Sequence, residues 1–359
     1  MTPLSAQRKE KKSKELPNQE LEVPKDPSSF VKVETSRLAF LYSPLTDKGL
    51  LSQQTRDAIR ALRKNLKGGQ IVRLRAFVAG TGDMRRVPAI VSDELGGRGP
   101  MPALSVVQVG ALPAEGAQVL LEATIVEKKA GSQTGLAFLS GQQVLKEGAV
   151  ENPLEPVLPL VEKSLNRLQQ AAIAAKVAPE SMLRVTCLVS SLADYAEVSR
   201  KVAQTFPGSA NAVVQLQRGP LRPVAECEGV GRTSAASSEK VQLLNPQGLA
   251  SSPNYSQVVL VQSPSIVLTS SQLAFGTNGN HAKLAFDRLK QVLEQAGSSF
   301  QKVFYTSFYP LTNPAAEQIR EQRFDYLDRS RPPASTLILF EGLPSHDATF
   351  AFDVIAAVN

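Results

Sequence analysis

The sequence predicts an α+β protein made of three copies of one domain, each a mixed β-sheet with two helices on one face. Three observations carry that expectation. One short stretch occurs three times: A-L-S-V-V-Q-V-G-A-L-P from Ala103, A-N-A-V-V-Q-L-Q-R-G-P from Ala210 and A-S-T-L-I-L-F-E-G-L-P from Ala334. The same order of patterns (helix, strand, helix) precedes each stretch, and one more strand follows it. The 359 residues accommodate three units of about 100 residues each. Helical crossovers between strands then place both helices of a unit on one face of its sheet.

The first copy covers residues 31–129. Leu38 to Leu41 reads as a front strand, and Ser52 to Leu66 has helical spacing. Ile59, Leu62 and Leu66 share a face there, with Ser52 as the expected N-cap. Strand Ile71–Ala79, helix Asp83–Leu95, the repeated stretch and strand Gln118–Glu127 follow. The second copy, 130–235, has front strand Leu136–Leu139 and a helix within Glu155–Lys176. Val161, Leu165, Leu168 and Ala172 form that helix's apolar face. Strand Leu183–Ser190, helix Leu192–Phe206, the stretch and strand Pro223–Val230 complete it. The third copy, 250–359, has front strand Ser265–Leu268 and helix Ala282–Ala296, ended by Gly297. Strand Lys302–Tyr309, helix Pro314–Asp328, the stretch and strand Ala348–Val358 follow. Gly49, Gly148 and Gly279 sit in the loops between front strand and helix. Residues 236–249 read as a linker. Residues 1–30 read as a disordered polar tail, whose basic run Arg8, Lys9, Lys11, Lys12 and Lys14 is nearly balanced by acids.

Composition narrows the function. With 42% hydrophobic and 20% charged residues and no long apolar run, the chain reads as a soluble protein without a membrane span. The N-terminus shows no apolar core of a secretory leader, so the expected compartment is the cytoplasm. Two histidines leave little for a metal site. Cys187 and Cys227, on strands of one copy, read as buried, unreactive thiols. Gly68-Gly69 lacks the Lys-Ser/Thr of a phosphate loop. No basic groove with interleaved aromatics appears, so no nucleic-acid partner is expected despite the net charge of +7.

The copies resemble the RidA family, also called the YjgF-like or endoribonuclease L-PSP family. Asn254-Tyr255-Ser256-Gln257 is similar to the family's Gly-Pro-Tyr-Ser-Gln entry motif, and Ser270-Ser271-Gln272 to its Ser-Gly-Gln. Ala296-Gly297-Ser298-Ser299 resembles its Ala-Ala-Gly helix end, and Pro333-Ala334-Ser335 its Pro-Ala-Arg-Ser. The second copy carries Ser140-Gly141-Gln142 intact. The first carries Gln54-Thr55-Arg56 and Pro102-Ala103-Leu104-Ser105. The resemblance covers nearly everything after residue 30. It implies RidA-like (chorismate-mutase-like) domains. Because members usually assemble as homotrimers, it implies an intramolecular pseudo-trimer, monomeric as a chain. The activity it implies is deaminase-like hydrolysis of reactive enamine or imine metabolites at interdomain clefts. An imino or keto acid is the implied ligand, and no cofactor is needed.

In active members, the resemblance implies, the second position of the stretch is an Arg that grips the substrate carboxylate. Here that position holds Leu104, Asn211 and Ser335, so the activity is expected to be altered or lost. An acid persists on each final strand: Glu122, Glu228 and Asp353 are the candidate catalytic groups. Each either orients a water in a cleft or pairs with neighbouring backbone or cations. Tyr255, Ser140, Gly141, Gln142 and Gln272 are ligand-contact candidates, with Asn211, Ser335 and Leu104 at the vacated position. Tyr255 either lines a cleft or caps an interdomain core. Arg73, Arg75, Arg218, Arg222 and Arg331 could replace the missing cation or serve as exposed or interface charges. The alternative function is a non-catalytic small-metabolite-binding or protein-interaction module.

Overall fold

A computed structural model describes residues 25–97, 99–129, 135–276 and 279–358. Most of the expected tail, its basic run included, lies outside the described residues. In chain order, β1 (Phe30–Glu34) and β2 (Leu38–Tyr42) precede α1 (Leu51–Lys64), β3 (Gln70–Val78), α2 (Val87–Leu95), β4 (Ala103–Gln108) and β5 (Val119–Val126). Next come β6 (Leu136–Leu145), α3 (Leu158–Ala174), β7 (Met182–Val189), α4 (Tyr195–Thr205), β8 (Ala210–Gln215) and β9 (Val224–Arg232). The last segment holds β10 (Val241–Leu244), β11 (Val258–Val261), β12 (Ser265–Thr269), β13 (Gln272–Phe275), α5 (Gly279–Gln295), β14 (Val303–Pro310), α6 (Asn313–Gln322), β15 (Ala334–Leu337) and β16 (Ala348–Ala357). The fold is mixed α+β. No described helix is long and apolar enough to cross a membrane.

The strands form three sheets. The first is ordered β2-β5-β3-β4, and the second β10-β11-β6-β9-β7-β8. The third is ordered β1-β12-β16-β14-β15, with β13 also on β16. Each sheet shares one plan. The strand of the repeated stretch runs parallel to a middle strand, which runs antiparallel to the final strand. Even the irregularities match. A register shift falls between Ile71 and Arg73, between Met182 and Arg184, and between Val303 and Tyr305. Such bulges re-aim the residues that follow. The registers make Arg73, Arg184 and Tyr305 equivalent, each opposite the stretch's opening Ala.

Three expectations need correction. β1 (opening at Phe30, in the expected tail) pairs with β12 in the third sheet, not with its neighbour in sequence. β10 lies within the expected linker 236–249, and with β11 it extends the second sheet through β6. Sheet membership therefore crosses the boundaries drawn from sequence, because an edge strand joins whichever edge is open beside it. Ser52 is not the N-cap of α1: Leu50 takes that place with no side-chain bond, and Ser52 lies inside the first turn. Gly297 does end α5, with φ +67°. There the Ser298 N–H reaches the Leu293 carbonyl at 2.8 Å.

Each helix pair buries an apolar face against its own sheet. The opposite sheet faces meet one another. Two further apolar clusters draw on all three sheets. One gathers Phe77, Leu120, Leu188, Val224, Tyr309 and Ala351. The other gathers Val72, Phe138, Val230, Phe304 and Ile355.

The repeated stretch has a direct structural use at one end of the molecule. There its three later halves bond to one another. The Gln108 N–H donates to the Gly342 carbonyl at 2.8 Å, and the Gly110 N–H to the Gln215 carbonyl at 2.9 Å. The Arg218 N–H donates to the Glu341 carboxylate at 2.9 Å. This collar leaves no room at Gly110, where an added Cβ would stand 2.4 Å from the Gln217 carbonyl carbon. Backbone cannot rotate away as a side chain can. Gly110→Ala is therefore expected to cost about 1–3 kcal/mol of stability. Gly219→Ala, which meets open space, should stay within about 0.5 kcal/mol of the parent. Calorimetric unfolding of the two variants checks the difference.

Candidate functional site

The three expected acids meet three arginines in a buried layer. Arg75 donates to Glu122 at 2.6 Å and to Glu228 at 2.8 Å. Arg184 donates to the same two carboxylates at 2.6 and 3.0 Å. Arg73 donates to Asp353 at 2.6 Å. Hydroxyls occupy the remaining lone pairs. Tyr42 and Thr186 bond Glu122, Tyr305 and Thr336 bond Glu228, and Ser105 and Tyr309 bond Asp353. Alternation along the strands explains the assembly. Arg73 and Arg75 share a face of β3, as the sequence indicates, and each acid points to the same face as the residue two positions before it: Leu120, Glu226 and Ala351. Burial pushes the Glu122 carboxyl up, but Arg184, Arg75 and Arg73 outweigh it and hold the group well below the usual carboxylate range. The Glu228 carboxyl is lowered by the same contest, Arg75 and Arg184 overcoming burial.

A separate cleft opens between the second and third sheets. Its outer part is a cavity of about 410 Å³ lined by Gln143, Val224, Leu337, Asn313, Ala316 and Arg320. One same-face step deeper on β9 from Val224 lies Glu226, and one step deeper on β15 from Leu337 lies Ser335. Glu226 is 3% exposed and accepts a bond from Gln143 Nε2 at 2.9 Å. It lies against the backbone of Gly141, where a Cβ would stand 1.9 Å from its Oε1. No guanidinium pairs with it among the described residues. Burial, reinforced by Glu228, pushes its carboxyl up to about 8.

The motif remnants converge beside it. The Ser335 N–H donates to Ser140 Oγ at 2.8 Å, and Ser140 Oγ–H to the Ser256 carbonyl at 2.6 Å. Gln142 Nε2 reaches Gln257 Oε1 at 2.7 Å. Burial and Glu226 push the phenol of Tyr255, half-buried, above its ordinary value, while Gln257, Arg167 and Arg323 oppose them. Ser140, Gly141, Gln142, Tyr255 and Ser335 thus come together. The others stand apart. Leu104 packs in the first sheet's apolar core, and its N–H bonds Ser270 Oγ at 2.7 Å. Asn211 bonds only locally, to the Ser209 carbonyl at 3.2 Å. Gln272 opens β13 opposite Phe352. Glu122, Glu228 and Asp353 belong to the ionic layer rather than to an open cleft.

One buried acid was missed from sequence: Glu226, whose matched positions Leu120 and Ala351 are apolar. Its signal was the pair of glutamates in Glu226-Cys227-Glu228, which alternation puts on one face. The expected thiols also differ: Cys187 and Cys227 are disulfide-bonded, directly opposite in the β7–β9 register with Cα atoms 4.1 Å apart. Among the expected cations, Arg218 pairs with Glu341 at 3.4 Å, Arg222 lines the cavity and Arg331 reaches the Val241 carbonyl.

No protein-family model matches the chain, and a search of curated proteins finds no relative. Among solved structures, the chain is similar over 33% of its length to a Rid-family protein of unknown function from Yersinia pestis, at 19% identity, all of that chain covered and a TM-score of 0.31. A putative endoribonuclease L-PSP from Entamoeba histolytica is similar over 33%, at 23% identity, again with all of that chain covered and a TM-score of 0.25. A YjgF/YER057c/UK114-family protein from Mycobacterium tuberculosis is similar over 33%, at 14% identity, with 99% of that chain covered and a TM-score of 0.24.

Two outcomes follow from the charges. Arg75→Met leaves Glu122 and Glu228 each short of a partner and is expected to cost about 3–5 kcal/mol in denaturant titration. Glu226 acts with the opposite sign. Its folded-state pKa of about 8 lies above the ordinary 4.5, so between those values the native state holds a proton the unfolded state releases. Stability therefore falls as pH rises through that window, by up to about 1.4 kcal/mol per unit. Glu226→Gln should flatten that slope in unfolding measured from pH 5 to 8.

Proposed function

We propose that the chain forms three RidA-like units around a pseudo-threefold axis and binds a small metabolite, without turning it over, in the cleft between the second and third sheets. One chain supplies all three sheets, so a single chain is the binding unit. The observation that carries this reading is the division of acids. Glu122, Glu228 and Asp353 have their oxygens taken by guanidinium and hydroxyl groups, which leaves none of them to orient an attacking water. Glu226, which pairs with no guanidinium among the described residues, lies one same-face step along β9 from Val224 of the cavity wall, and beside it the gripping Arg expected by resemblance is replaced by Ser335. The cavity's size falls in the range of small-molecule sites, and its walls combine apolar side chains with a few convergent polar groups, as such sites do.

Hydrolysis is the second reading, and Glu226 is what favours it. A carboxyl that keeps its proton near neutral pH can donate to an imine nitrogen. One experiment separates the two. The full chain is titrated calorimetrically with 2-oxobutanoate and incubated with freshly generated 2-iminobutanoate. Saturable binding, with ammonia release no faster than buffer, is the expected result. Release above buffer would replace the binding reading with the deaminase one, and no uptake of the keto acid would remove the cleft as a site for this class of ligand.

A further inference from the structure

We propose that the open edge of β10, with the basic groove beside it, takes up an acidic segment of a partner protein as an added β-strand. β10 ends the second sheet and pairs with β11 alone among the described strands. Its register decides which backbone groups are free. The Gln262 N–H donates to the Lys240 carbonyl at 2.8 Å, so the even-numbered positions turn their groups towards β11. Val241 and Leu243 turn theirs outward. Arg331 of the third unit agrees with this direction, because its guanidinium reaches the Val241 carbonyl at 3.4 Å. Natural edge strands are commonly blunted by a charge, a proline or a bulge. β10 has none of these: it reads Val-Gln-Leu-Leu, pairs with β11 without a register shift, and is partly exposed at every position.

A groove of about 950 Å³ lies along this edge. Its far wall belongs to the third unit, where Val303 and Ala357 stand beside Lys302 and Arg331. It shares no lining residue with the cavity of the cleft. Charge selects the occupant. Lys240, Lys302 and Arg331 face a single lining acid, Glu239, and none of the three cations pairs with a carboxylate among the described residues. Lys240 and Arg331 are exposed and Lys302 is half-buried. A small anion would stay largely in water there and gain little, since exposed ion pairs are weak. An extended acidic segment gains more, because main-chain bonds to Val241 and Leu243 add to the charge contacts. The strand's four residues span about 13 Å, so a segment of similar length is enough.

The test titrates the full chain calorimetrically with a capped hexapeptide of alternating glutamate and valine. Strand addition uses every second amide of the ligand. N-methylation of one alternate set should therefore abolish binding, and N-methylation of the other set should be tolerated. Leu243→Pro removes one outward donor and leaves the bonds to β11, a place where proline is accepted. It should melt close to the parent and bind the peptide about tenfold more weakly. Lys302→Glu should weaken binding about five- to tenfold at low salt, with the difference shrinking as salt rises. The same peptide with lysine for glutamate should not bind. Equal binding of both N-methylated forms overturns strand addition, and it does so on the unaltered chain, whatever Leu243→Pro does to folding. Uptake of tripolyphosphate or single-stranded DNA without uptake of the peptide makes the groove a general anion site and overturns the proposal. A dimer in light scattering that Leu243→Pro dissolves gives the edge to a second copy and overturns it as well.

Discussion

Three guanidinium groups and three carboxylates occupy one dry layer where the faces of the three sheets meet, with an apolar cluster on each side of it. Removing such ions from water is expensive, and apolar residues of like volume would often serve stability as well. What the charges add is order. Arg73 of the first sheet needs Asp353 of the third, and Arg184 of the second needs Glu122 of the first. Tyr305 of the third sheet bonds Glu228 of the second. These three bonds run round the centre in one direction, and Arg75 of the first sheet adds a link to Glu228 of the second. Exchanging two sheets would orphan a buried charge, a penalty larger than most packing defects.

That asymmetry is available only to a chain that holds all three units. In an assembly of identical subunits every equivalent position carries the same residue. Here the equivalent positions 73, 184 and 305 hold Arg, Arg and Tyr, and positions 75, 186 and 307 hold Arg, Thr and Ser. The second positions of the repeated stretch diverge in the same way. Leu104 packs into the first sheet's apolar core, Asn211 is half-exposed, and Ser335 stands with Tyr255 and the Ser-Gly-Gln turn.

Periodicity exposed the six described helices and twelve of the sixteen described strands, because apolar spacing records which face an element buries; β1, β10, β11 and β13 were not read from it. It could not expose membership. Nothing in Phe30–Glu34 says that its partner is β12, since any exposed strand edge offers the same hydrogen-bonding pattern. The acids were legible as a set, but their role depended on what stood across the interface, and that is set by three bulges absent from the spacing. Glu226 was hidden beside Glu228 because both fit a strand pointing inward. The cysteine pair depended on register, which a single strand does not encode.

The ionic layer joins residues far apart along the chain. Arg73 and Asp353 are 280 positions apart, and the Ser28–Ser270 bond spans 242. Chain ordering over such spans must come before the contacts repay it, which slows folding. During synthesis the first sheet emerges with its arginines long before Asp353 exists, and β1 waits for β12. The early segments cannot mature one by one, as domains strung along a chain do. They remain incomplete until Asp353 and β16 have been made, so the stretch of synthesis before that point is when misassembly and proteolysis threaten most.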